Sequence, residues 1–506
     1  MSLKAVLALD QGTTGSTALV VAGDGRVLGR AYSEFTQHFP RPGWVEHDAD
    51  EIFRVTAEVG RRALEAARTL EPGVSVEGLG ITNQRETVVL WERASLEPVH
   101  RAIVWQDRRT TERCRALKEA GHEPEVRQRT GLVLDPYFSG TKVAWILDEH
   151  PELRRRAEAG ELAMGTIDTW LMARLTGGAV HATDPTNASR TLLYNIRERR
   201  WDPWLLDLLG VPEPLLPAVA PSAGIFGAAD PDTLGLPLPI AGAAGDQQAA
   251  LFGQGCWAPG LAKNTYGTGA FLLLNTGQEA VSSEHGLLTT AACDARGGMA
   301  YALEGSVFIA GAAIQWLRDG LGIIEEAAES EALARSLESN DGVYFVPAFV
   351  GLGAPHWVPE ARGTLVGLTR GTGRAHLVRA ALEAMAYGTS EVLRAMEADS
   401  GVPARELRVD GGAALNDWLM QFQADLLGVP VRRPALVETT ALGAAGLAGI
   451  TTGVWPDAEA FLAAQGEART FQPAMDAALR KELLSEWERA VHAAVTWARH
   501  AAAAES

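Results

Sequence analysis

The sequence predicts an α/β protein built from two facing halves. Three observations carry this expectation: apolar strands alternate with helical patterns along the chain, a strand–turn–strand element rich in Gly and Thr occurs twice, and 506 residues exceed what one hydrophobic core usually organises.

The first of the paired elements opens the chain. Ala5-Val6-Leu7-Ala8-Leu9-Asp10 is a continuous apolar strand, Gln11-Gly12-Thr13-Thr14-Gly15-Ser16 a turn, and Ala18 to Ala22 a second apolar run, after which Gly23-Asp24-Gly25 turns the chain again. Glycine permits close approach of a ligand to the backbone, while amides and hydroxyls donate to its oxygens, so this turn suits a phosphate. The GxxxxGK[ST] pattern of a P-loop is absent. The related element runs through Ala262-Lys263-Asn264-Thr265-Tyr266, Gly267-Thr268-Gly269 and Ala270-Phe271-Leu272-Leu273-Leu274. Two such hairpins imply duplicated halves that hold one ligand between them. The division is placed near Gly255, giving domains of residues 1–255 and 256–506. Just before it, Pro212 to Pro239 is rich in Pro and Gly with little periodicity and is expected to be an irregular surface excursion. Helical spacing marks Glu51 to Arg68, Thr110 to Ala120, Gly311 to Asp319, Ala375 to Asp399 and Asn416 to Leu427. Ala477 to Ala504 reads as an Ala-rich scaffold helix, with Trp487, Val491, Ala494 and Trp497 able to share a face.

Composition narrows the function. A net charge of −18 without any basic cluster argues against a nucleic-acid partner. The apolar fraction of 47% and charged fraction of 21% are those of a globular protein. Neither a signal peptide nor a membrane span is recognisable, Ala441 to Ile450 being too short to cross a bilayer. Cys114, Cys256 and Cys293 are widely spaced, which predicts buried thiols in a reducing cytoplasm.

Phosphoryl transfer requires a nucleotide cradle, a metal, a positioned hydroxyl and a carboxylate to take its proton. Each has a candidate. Asp10, at the end of the first strand, can hold a water of Mg²⁺ or simply cap the turn. Asp246 follows the apolar strand Ile240 to Gly245 and leads into a helix, where it can serve as general base, as a helix cap, or as both. Gly411-Gly412, between a strand and a helix carrying Leu415, Leu419, Phe422 and Leu426, is either an anion site or a plain connection. Gly311 and Gln315, one helical turn apart, can line the same nucleotide. Arg85-Glu86 offers a donor and an acceptor to a polyol, or else an exposed salt bridge of little consequence. Trp105, Tyr137 and Phe271 are apolar walls for such a ligand or ordinary core.

Several stretches in order give this chain a family resemblance: Leu9-Asp10-Gln11-Gly12-Thr13-Thr14, Pro42-Gly43-Trp44-Val45-Glu46-His47-Asp48, Gly80 to Thr87, Asp135 to Lys142, Gly165 to Trp170, Thr186 to Thr191, Gly245 to Gln248, Asn264 to Gly269 and Arg408 to Gly412. Over nearly its whole length it resembles the FGGY family of carbohydrate kinases, and within it the members that act on glycerol. The resemblance implies two actin-like, ribonuclease H-like ATPase domains with a catalytic cleft between them, and transfer of the γ-phosphate of ATP to glycerol with Mg²⁺. It further implies that Arg85, Glu86, Tyr137, Asp246 and Gln247 bind glycerol hydroxyls, that Trp105 and Phe271 wall its carbons, and that Asp246 is the base. Thr13, Thr14, Gly15, Thr268, Gly311, Gln315, Gly412 and Asn416 would contact the nucleotide, with Asp10 on the metal through water. A homodimer or homotetramer is implied as well. Two departures stand out. Thr17 replaces an Arg that some relatives use near the phosphates, and the loop between Gly227 and Pro239 lacks both the basic Gly-rich motif and the histidine through which some members are regulated. Kinases for other polyols or sugars, such as xylulose, gluconate or erythritol, and nucleotide-switched assembly proteins with the same core are the competing readings.

Overall fold

The structure, a computed structural model, describes residues 2–505. Two sheets organise it. The first has six strands, in the order Ala223–Ala229, Leu238–Gly245, Ser75–Asn83, Lys4–Gln11, Gly15–Ala22, Val27–Glu34. Lys4–Gln11 runs parallel to Ser75–Asn83, which runs parallel to Leu238–Gly245, and the remaining neighbours are antiparallel. The second sheet places Leu261–Tyr266 at its centre, antiparallel to Ala270–Gly277 and parallel to Glu406–Gly411. Met299–Val307 then pairs antiparallel with Ala270–Gly277, and Val431–Arg433 parallel with Glu406–Gly411. Hairpin, third antiparallel strand, then two parallel strands: the same succession of pairings builds both halves. This is the mixed α/β, actin-like architecture expected from the sequence.

The central strand of the first sheet shows why its sequence is a continuous apolar run. Successive side chains point to opposite faces, and both faces are covered. Leu7 and Leu9 pack with Ile52, Val55 and Val59 of the helix Ala49–Leu70, whose amino end is capped by Asp48 accepting from the Glu51 amide at 3.0 Å. Val6 and Ala8 face the other way, onto Ala441, Ala444, Ala445 and Leu447 of the helix Thr439–Thr452. That helix belongs to the second half by sequence but covers the sheet of the first.

Its approach is close because it is rich in small residues. A Cβ on Gly443 would stand 1.8 Å from the carbonyl oxygen of Ala249, and one on Gly80 would stand 2.1 Å from that of Ala444. Gly443→Ala is therefore expected to destabilise the protein by about 1–3 kcal/mol, as overpacked core substitutions do. A lowered thermal midpoint checks this; an unchanged midpoint would mean that the helix can retreat freely.

Several expectations need correction. The stretch Pro212 to Pro239 is not merely a surface excursion, because Ala223–Ala229 within it pairs with Leu238–Gly245 as the edge strand of the first sheet. As an edge built from Gly and Ala, with Ile225 62% exposed, it shows no apolar alternation to read. The helix expected over Gly311 to Asp319 is α-helical only over Gly311–Gln315 and widens to a π-turn over Trp316–Gly320. Leu415 does not join the apolar face of the next helix: it lies in a short 3₁₀ turn, 60% exposed, and the helix proper begins at Asp417. In the helix Ala477–Glu505, Trp497 is 58% exposed, whereas Trp487, Val491, Ala494 and Ala498 follow the buried stripe. All three cysteines are buried and unpaired. No helix among the described residues is long and apolar enough to cross a membrane.

Candidate active site

Three parallel neighbours of the first sheet end together. The register sets Gln11 beside Asn83 and Asn83 beside Gly245, so the residues at these carboxyl ends share one rim: Asp10, the pair Arg85-Glu86 and Asp246. Ligands of open α/β sheets bind at such a rim.

Arg85 and Glu86 are not an exposed salt bridge. Their side chains are 2% and 1% accessible. Arg85 makes a two-pronged contact with Glu304, donating from Nη1 at 2.6 Å and from Nη2 at 3.0 Å, while its Nε lies 3.1 Å from Asp246 Oδ1. Arg190 donates from Nε to Glu86 at 2.6 Å and from Nη2 to Glu304 at 3.1 Å. Two guanidiniums and two carboxylates thus alternate in a buried ring, the geometry in which buried charges are tolerated. Burial alone would raise the Glu304 carboxyl, but Arg190 and Arg85 hold it down at about 2. Burial pushes the Glu86 carboxyl up against the pull of Arg190 and Arg85. Glu86 has a φ of 61°, rare for a residue with a side chain. Ser139 Oγ and Lys142 Nζ hold it there by donating to its carbonyl at 2.9 and 3.3 Å.

Asp246 is not the cap of its helix. Gly245 occupies the cap position and Asp246 the first turn, where Oδ1 accepts from the Gln247 amide at 2.7 Å. Its side chain keeps 32% exposure, so it faces the opening while touching Arg85. Asp10 lies close enough to feel it: burial, reinforced by the Asp246 charge, pushes the Asp10 carboxyl up to about 7. Trp105 and Tyr137 meet edge to face at 5.6 Å, and Trp105 Nε1 donates to Thr13 Oγ1 at 2.9 Å, which ties this aromatic wall to the first hairpin turn. Phe271 comes from the second half, paired with Thr265 in the ladder.

The second hairpin turn leans on the helix that starts at Gly311. Thr268 O accepts from the amides of Ala310 and Ala312 at 2.8 and 3.1 Å, and Gly267 O from that of Gly311 at 3.0 Å. Beside it opens a cavity of about 490 Å³ lined by Gly311, Gln315, Ser330, Gly412, Leu415 and Asn416, among others. Four of the expected nucleotide contacts therefore meet in one space. Thr13, Thr14, Gly15 and Thr268 do not line it; Thr13, Thr14 and Thr268 sit in the two hairpin turns and Gly15 opens the strand after the first. Thr17 lies opposite Asp10 in the first hairpin.

Sequence reasoning missed Arg190, Gln248, Lys263 and Glu304. Lys263, fully buried, donates to Gln247 Oε1 and, at 2.8 Å, to Thr265 Oγ1. Gln248 accepts from Arg85 at 3.2 Å and donates to Thr290 at 3.0 Å. One signal was available: Lys263 and Glu304 are the lone charges of their strands, and a charge buried in a sheet must find a partner.

A cavity of about 490 Å³ in the second half, and in the first a polar rim with a partly exposed carboxylate, on an α/β core of two like sheets, fit the class of small-molecule phosphotransferases. Known proteins agree with this class. The N-terminal domain of the FGGY family of carbohydrate kinases matches residues 5–253, and its C-terminal domain residues 262–452. A glycerol kinase of Bordetella parapertussis is 56% identical over 98% of this chain and 98% of its own, and one of Carboxydothermus hydrogenoformans is 56% identical over 98% and 99%. The crystal structure of Plasmodium falciparum glycerol kinase with ADP superposes with a TM-score of 0.93 at 34% identity, covering 97% of this chain and 98% of that one. The chain belongs to the FGGY family of carbohydrate kinases.

Proposed function

We propose that this chain transfers the γ-phosphate of ATP to a terminal hydroxyl of glycerol, giving sn-glycerol 3-phosphate and ADP. The observation that carries the reading is the meeting of Asp246 with Arg85 and Glu86 at one rim, beside Trp105 and Tyr137. The names of its full-length relatives support the same reaction.

Arg85 donates to the acceptor's hydroxyls, Glu86 accepts from them, and Tyr137 and Gln247 complete the polar contacts, while Trp105 and Phe271 cover the carbon chain. Asp246 takes the proton of the attacking hydroxyl as it moves onto phosphorus. The halves 1–255 and 256–506 contribute the acceptor pocket and the nucleotide cavity in the main. ATP lies along the cavity at Gly311, Gln315, Gly412 and Asn416, with its phosphates at the turns of Thr13, Thr14, Gly15 and Thr268. Asp10, a carboxylate at the end of the central strand beside the first hairpin turn, fits a hard cation such as Mg²⁺ held largely by water and phosphate oxygens. Bound there through water on Asp10, Mg²⁺ would neutralise charge on the transferred group. A homodimer or homotetramer acting in the reducing cytoplasm, where the three unpaired cysteines stay reduced, completes the proposal.

A coupled assay for ADP over a panel of polyols tests the reaction. Glycerol-dependent ADP release with a stable phosphorylated product is expected; slow release that glycerol leaves unchanged would overturn it.

The nucleotide site has its own test. A Cβ on Gly412 would meet nothing within 4 Å, and its φ is not among the positive ones, so Gly412→Ala costs the free protein little. The methyl would instead occupy the cavity. Calorimetry is expected to show nucleotide affinity weakened about tenfold or more at an unchanged thermal midpoint. Wild-type affinity would move the nucleotide elsewhere.

A further inference from the structure

The sheet of the second half does more than carry the nucleotide side. Residues facing each other across its ladders share a face: Lys263 pairs with Leu273 and Leu273 with Glu304, while Thr265 pairs with Phe271 and Phe271 with Ser306. Two residues along each strand the same face returns, so Lys263, Thr265, Phe271 and Glu304 all project together. That face meets the rim of the first half. Glu304 reaches Arg85 and Arg190 there, and Lys263 reaches Gln247.

Each contact fixes something the acceptor pocket needs. An ammonium donates and never accepts, so the Gln247 amide must turn its oxygen toward Lys263, which leaves Nε2 to donate elsewhere. The carboxylate of Glu304 takes both terminal nitrogens of Arg85, which locks the plane of the guanidinium and sets Nε against Asp246. Glu304 is also the shared counter-ion that lets Arg85 and Arg190 lie in one buried site.

Building on the function proposed above, we propose that Glu304 and Lys263 are positioning residues for the acceptor pocket, so that its donor pattern exists only while the second sheet stands against the first half. Acceptor recognition is thereby tied to the arrangement of the two halves. Parting them would strip Arg85 of its two-pronged partner and free the Gln247 amide to flip.

The test uses the full chain with Lys263→Met and Glu304→Gln. Steady-state kinetics are run on glycerol and on 1,2-propanediol and 1,3-propanediol, which each lack one hydroxyl, and nucleotide affinity is measured by calorimetry. For Lys263→Met the KM for glycerol is expected to rise about tenfold or more, with a smaller change in kcat, unchanged nucleotide affinity and a narrowed preference for glycerol over the diols. Glu304→Gln is expected to raise KM further. Lys263→Met decides alone if Glu304→Gln does not fold, because Lys263 lies outside the ring of four charges. Variants with wild-type KM and wild-type preference would overturn the inference, as would equal losses for all three acceptors. A wild-type chain inactive on glycerol would instead sink the underlying function and this inference with it.

Discussion

Asp246→Asn is expected to lower kcat by about 10²–10⁴-fold, the usual contribution of a positioned base. Asparagine has nearly the same shape and keeps an oxygen to accept from the Gln247 amide and from Arg85 Nε, so the rim should survive the change. What disappears is the ability to take a proton, together with one negative charge beside Asp10. Nucleotide affinity is expected to hold, because the cavity at Gly311 and Gly412 does not include this residue. Single-turnover kinetics with ATP and glycerol check the chemical step directly. Turnover near wild type would remove Asp246 from its role.

Arg85→Met is expected to do double damage. Arg85 is the cation common to Glu304, Asp246 and Glu86, at 2.6, 3.1 and 3.8 Å. Methionine fills comparable volume but leaves Glu304 leaning on Arg190 alone in a site almost closed to water. Breaking a buried ion network from one side costs about 3–5 kcal/mol, and the same change removes a donor proposed for the acceptor's hydroxyls. Chemical unfolding and kcat/KM for glycerol are both expected to fall sharply. Arg115→Ala provides the contrast. Arg115 and its partner Glu112 are 65% and 73% exposed, so its loss is expected to change stability by less than about 0.5 kcal/mol. Equal losses for the two variants would mean that burial of the ring is not what gives Arg85 its importance.

The strands and long helices were legible because both faces or one stripe of each are apolar, as in Ala5 to Leu9 and Glu51 to Arg68. The hairpins were legible through glycine and threonine between two such strands. Ala223–Ala229 was not, because an edge strand of small residues needs no alternation to stay folded. In the site, Asp10, Arg85, Glu86 and Asp246 stood out as polar residues at the ends of apolar strands. Arg190 and Glu304 did not, since they are distant in sequence and only the packing of the second sheet against the first half brings them together. Lys263 was passed over as one residue of a hairpin strand, although a lysine between Ala262 and Asn264, both of them buried, has few places to put its charge. For a buried charge, the partner carries the meaning, and the partner is what a linear reading omits.

The helix Thr439–Thr452 gives this chain an unusual order of assembly. The strand Leu238–Gly245 leaves the ribosome about two hundred residues before the helix that lies against it, a wait of ~10–40 s at ordinary rates of synthesis. During that interval Val6, Ala8, Ala241 and Ala244 lack the cover that this helix supplies. The early half is therefore born with a sticky face, and its survival depends on the late arrival of a segment encoded about two hundred codons further on. A nascent chain stalled before residue 439 should be a client for chaperones, whereas one stalled far enough beyond residue 452 for the helix to have left the exit tunnel can close that face itself.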